Sequence, residues 1–140
     1  MFKLIIIIVT LLGTVVINAQ STKTSSATTS TTKTDGKLVA HNSVSVNSSD
    51  KAYSLRAEFN ANDYSRIKSI LEDNLDNAYK AKSGTTLNWT KEENNKIAYA
   101  FILTNSKLRI NIYRDLVSNN TFEKLKALSN KLSTIISNKK

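Results

Sequence analysis

The chain has 140 residues, room for one domain of about a hundred residues beside shorter segments. It holds no cysteine, no proline and a single histidine, with 20 basic against 11 acidic side chains and a net charge of +9. Disulfides, thiol nucleophiles and zinc sites of the usual Cys/His kind are thereby excluded, while the charge favours anionic partners.

The N-terminal segment reads as an export signal. Lys3 precedes an apolar stretch of 14 residues, Leu4 to Ile17, that ends at Asn18-Ala19-Gln20. A basic start, an apolar middle and a small residue at the cut are the marks of a secretory leader, with cleavage expected after Ala19. A membrane-spanning helix needs about 20 apolar residues, so no permanent span is expected once residues 1–19 are removed. The expected destination is the periplasm or the exterior, and without cysteine no lipid can be attached there through a thiol.

A Ser/Thr-rich stretch at residues 20–35 follows. Of the fourteen residues from Ser21 to Thr34, eleven are Ser or Thr. Such a composition buries too little apolar surface to offset the entropy of ordering, and it predicts a disordered linker. Sequons at Asn47, Asn88 and Asn119 matter only in a host that glycosylates them.

Residues 36–138 are expected to form a single domain. Val44 and Val46 share one face of a strand within 38–46, and Asn47 to Asp50 supplies a polar turn. Tyr53, Leu55, Ala57 and Phe59 then alternate with Ser54, Arg56 and Glu58, which completes a hairpin. Asn62 can cap a helix from Asp63, with Tyr64, Ile67, Ile70, Leu71, Leu75 and Ala78 as its apolar stripe. Asp76 and Lys80 are spaced for a surface pair on that helix, which Ser83-Gly84 should break. Leu87 and Trp89 mark a short strand, closed by the polar turn Glu92 to Lys96. Ile97, Tyr99, Phe101 and Leu103 should face inward on the next strand, and Leu108, Ile110 and Ile112 on the one after Asn105-Ser106. Asn120 and Glu123 suit the start of a last helix, whose stripe is Phe122, Leu125, Leu128, Leu132 and Ile135. The order ββαβββα predicts an α+β fold: a two-layer sandwich with a mostly antiparallel five-stranded sheet and both helices on one face.

Catalytic chemistry is thinly supplied. His41 lies on the first predicted strand with no acidic neighbour, and no Gly-x-Ser-x-Gly elbow exists. Glu72, Asp73 and Asp76 cluster without the glycine of a calcium loop, and phosphate-cradling glycines are too few. No catalytic residue, metal or cofactor is assigned.

Two basic constellations remain. The sheet side away from the helices should display Arg56, Lys107, Arg109, Asn111 and Tyr113. Cations interleaved with an aromatic suit an anionic glycan, a lipid headgroup or single-stranded nucleic acid, and export argues against the last. An ordinary solvent face of an antiparallel sheet shows the same alternation. The last helix carries Lys124, Lys126, Lys131, Lys139 and Lys140, but its stripe is what the sheet needs to close its core. The chain therefore reads as a small exported binding module without enzymatic activity, using its open sheet face or an edge strand, with an anionic glycan, a lipid headgroup or an acidic protein as its partner. The alternatives are a small exported hydrolase using His41, and a membrane-surface protein acting through the last helix.

Overall fold

The structure, a computed structural model, describes residues 23–29 and 42–138. The expected leader, His41, Lys139 and Lys140 lie outside the described residues. The strands are β1 (Lys23–Thr29), β2 (Asn42–Ser48), β3 (Ala52–Glu58), β4 (Lys80–Ser83), β5 (Thr86–Glu93), β6 (Lys96–Leu103) and β7 (Lys107–Tyr113). Helix α1 spans Tyr64–Asn74, between β3 and β4, and α2 spans Asn119–Ser137 at the end. The class is α+β, with one antiparallel sheet in the order β1-β2-β3-β7-β6-β5-β4.

Two meanders, β1 to β3 and β4 to β7, meet where β3 pairs with β7 and Leu55 stands opposite Ile110. Alternation then aligns one row of apolar side chains across the sheet: Leu55, Ile110, Phe101 and Trp89 are successive neighbours. These residues join a single core cluster with Ile67 and Leu71 of α1 and Phe122, Leu125, Leu128 and Leu132 of α2. Burying each such side chain stabilises the fold by about 1.5–3 kcal/mol. Without disulfides, this cluster is the main source of stability.

The sheet has seven strands where the sequence predicts five. The first addition, β1, takes seven residues of the Ser/Thr-rich stretch read as linker and pairs them with β2. Threonine suits extended backbone, and the ladder bonds run through the main chain, so an apolar stripe is not required for pairing. The second addition, β4, occupies Lys80–Ser83, where the sequence predicts the end of a longer helix and its break. Helix α1 stops at Asn74 because Leu75 turns to an extended conformation (φ −108°, ψ 150°). Asp76 then accepts a hydrogen bond from the Ala78 N–H at 2.9 Å and starts a short 3-10 turn, Asn77–Tyr79. Its carboxylate therefore serves the backbone, as short acidic side chains do at helix ends, and Lys80 bonds Glu72 instead. Gly84 does not break a helix; at φ +56° it turns the β4–β5 hairpin, where Ser83 stands opposite Thr86.

Four smaller corrections concern caps and register. Asn60, not Asn62, is the capping side chain before α1, accepting from the Asn62 N–H at 3.0 Å. Ser118 caps α2 by accepting from the Thr121 N–H at 3.1 Å, two residues ahead of the expected Asn120. Ile97 is 45% exposed because a bulge opposite Lys91 and Glu92 inserts Ala98 between it and Tyr99. The extra residue reverses which side Ile97 presents. By the same kind of one-residue offset, Ile136 rather than Ile135 completes the buried stripe of α2.

Candidate functional site

Both helices bury their stripes in the one core cluster, so among the described residues the opposite face of the sheet has no helical cover. The register of β2, β3 and β7 arranges that face in rows. Ser43, Glu58 and Lys107 form one row; Ser45, Arg56 and Arg109 form the next. Asn47, Ser54 and Asn111 follow, and Ala52 beside Tyr113 closes the strip. All five side chains expected on this face are there, and three of them, Arg56, Lys107 and Arg109, line one shallow depression of about 430 Å³. Asn111 and Tyr113 lie further along β7, beyond its rim.

The charges within the depression are unequal in their company. Lys107 meets Glu58 at 3.2 Å across the strands. Their side chains keep 64% and 59% exposure, and an ion pair so open to water is worth little. Arg56 and Arg109 stand directly opposite each other, both exposed, and neither has an ion pair among the described residues. Like charges facing each other across antiparallel strands destabilise a sheet. Guanidinium groups also present planar forks of donors that match a carboxylate or phosphate in bidentate fashion. Two of them side by side concentrate positive charge and hydrogen-bond donors, with Ser43 and Ser45 on the neighbouring strand lining the same depression. Neither serine was singled out in the sequence; both are implied by the parity of Val44 once the β2–β3 register is known.

The other basic regions are less free. A second depression of about 430 Å³ is bordered by Lys23, Asp50, Arg114 and Lys126. There the Arg114 guanidinium lies 4.2 Å from the Phe122 ring centre and bonds Glu123 at 3.4 Å, so its charge is already engaged. On α2, Lys124 and Lys131 are exposed and Lys126 is half-buried, while Phe122, Leu125, Leu128 and Leu132 are buried in the core. No described helix is long and apolar enough to cross a membrane. Among the described residues no three His, Cys, Asp or Glu side chains converge as metal ligands.

The displaced titrations lie on the core side of the sheet. Burial pushes the Tyr53 hydroxyl up to about 12. The hydrogen bond from Lys80 holds the Glu72 carboxyl below the usual carboxylate range against the opposing effect of burial. Burial, with smaller contributions from Tyr79 and Asp76, raises Tyr99. These shifts report packing on the helical side and involve no residue of the arginine depression.

Comparison of the chain with protein-family models, with curated proteins and with solved structures gives no match.

Proposed function

We propose that the protein is a small exported binding module, without enzymatic activity, that takes an anionic ligand on the open face of a two-layer fold. The observation that carries this reading is the directly opposed couple Arg56–Arg109, which has no ion pair among the described residues. A cross-strand contact of this kind costs stability relative to a neutral pair. A bridging anion converts that cost into charge-assisted hydrogen bonds. Export is the companion proposal, and it rests on the Lys3 to Gln20 pattern.

The test is a backbone NMR titration of the protein at physiological salt with an anionic glycan, with vesicles of anionic lipid and with an oligonucleotide. Saturable shifts centred on Arg56 and Arg109 are expected with one anionic class. Absence of shifts at both arginines with all three would overturn the reading. Mass spectrometry of the secreted product should find Gln20 as its first residue; a retained Met1 would refute the leader.

A further inference from the structure

We infer that the ligand of this face is an acidic oligosaccharide, lying along β3 and β7 with a carboxylate on Arg56 and Arg109 and a sugar ring against Tyr113. The inference rests on the anion-binding reading above and narrows it to one ligand class.

The order of side chains along the strip supports it. From Lys107 to Tyr113 is six residues of strand, or about 20 Å at 3.4 Å per residue. The chemistry changes along that length. Cations and hydroxyls come first, with Arg56, Arg109, Ser43 and Ser45 beside the Glu58 carboxylate that Lys107 pairs; amides and a hydroxyl follow, with Asn47, Asn111 and Ser54; an aromatic ring ends the strip. Tyr113 is 44% exposed, and its cross-strand neighbour is Ala52, whose single methyl group leaves room beside the ring. Charge, hydrogen-bonding groups and an apolar platform in sequence match a chain molecule that carries carboxylates, hydroxyls and apolar ring faces.

Competing ligands use this strip less completely. A free phosphate would occupy the arginine depression and leave Asn111 and Tyr113 idle. A lipid surface needs an apolar area around the cations to enter the acyl boundary. Here the β6 positions beside the arginines offer only the half-buried Ile102 and the buried Ala100, and the exposed Ile97 stands past the bulge, five positions along β6 from Ile102 and apart from the cations.

Isothermal titration calorimetry of the protein would compare three probes: a tetramer of galacturonic acid, the neutral tetramer of galactose, and inorganic phosphate. The acidic tetramer should bind more tightly than either of the others. Tyr113→Ala should weaken the acidic tetramer severalfold and leave phosphate unchanged. The double variant Arg56→Lys and Arg109→Lys keeps the charge but loses the paired forks, so it should weaken the acidic tetramer by about tenfold or more. Phosphate binding as tight as the tetramer would sink the glycan assignment while the anion site stood. Equal affinity for the neutral tetramer would sink it too, and failure of all three probes would sink the glycan assignment and leave the anion reading to be decided by the vesicle and oligonucleotide titrations. An acidic-tetramer affinity unmoved by the double variant would overturn the bidentate arrangement. The probe comparison needs only the unaltered protein, so it decides the matter even if a variant folds poorly.

Discussion

Asn42 joins three parts of the chain with one side chain. Its Nδ2 donates to the Ile136 carbonyl at 3.1 Å, near the end of α2, and its Oδ1 accepts from the Asn60 N–H at 3.1 Å, before α1. The residue is 8% exposed, so water cannot easily replace either bond. Asn42→Ala should therefore cost about 2–6 kcal/mol, at 1–3 kcal/mol for each of the two groups left without a partner. In urea it should lower the midpoint and leave the slope unchanged; an unmoved midpoint would show that the clamp is redundant. Tyr53 makes a comparable link, its hydroxyl donating to Asn130 Oδ1 at 3.0 Å from a side chain 1% exposed. Because its folded pKa is raised to about 12 from 10.0, the neutral phenol favours the folded state. That contribution is fully present below pH 10 and is lost as pH rises through 12. Its size is on the order of 3 kcal/mol, from two pKa units at about 1.4 kcal/mol each. Stability measured across that window should fall more steeply for the parent than for Tyr53→Phe, and parallel curves would count against the assignment.

At the scale of elements, legibility followed side-chain patterning. The β2–β3 hairpin and β7 were readable because apolar and polar residues alternate there, as Leu108, Ile110 and Ile112 do on β7, and β6 because its apolar run KIAYAFIL is bounded by polar turns. β1 and β4 were not, since their sequences KTSSATT and KAKS lack that alternation. The end of α1 was hidden for a related reason. Apolar spacing continues through Leu75 and Ala78, and only the local bond from Ala78 to Asp76 reveals that the backbone has left the helix. For the candidate site, alternation alone placed Arg56 and Arg109 outward. Their adjacency required the pairing of β3 with β7, which no local pattern encodes. Turns carry a prediction of their own. A Cβ at Gly84 would meet nothing within 4 Å, so Gly84→Ala is disfavoured only by its φ of +56°. The cost should be roughly 1–2 kcal/mol, visible as a lower melting temperature; an unchanged one would mean that the hairpin shifts to another turn. The neighbouring β5–β6 hairpin solves the same problem with asparagine, at φ 51° for Asn94 and 59° for Asn95.

For the whole molecule, the exposed edges of the sheet decide whether it stays apart from its copies. β4 ends the sheet on one side, and Lys80 and Lys82 stand opposite Trp89 and Leu87, on the core side. Lys80 lies 5.6 Å from the Trp89 ring centre and also bonds Glu72. A cation turned inward on an edge strand resists the arrival of another sheet, whose apolar face would have to bury it. The double variant Lys80→Val and Lys82→Val should self-associate, seen as a larger sedimentation coefficient with rising concentration. A protein that remained monomeric would show that the edge is guarded by other means.

The meeting of the two meanders at β3 and β7 has a consequence in time. Residues paired at the centre of the sheet, such as Leu55 and Ile110, are more than fifty positions apart in the chain. A chain delivered N-terminus first, from a ribosome or through a translocation pore, presents β3 long before β7 exists to cover it. The early meander must wait with one edge open, and closing so long a loop carries an entropic cost before any central contact repays it. Whatever meets this chain during that interval meets an unfinished sheet, and the pairing of Arg56 with Arg109 does not exist until the last strand has arrived.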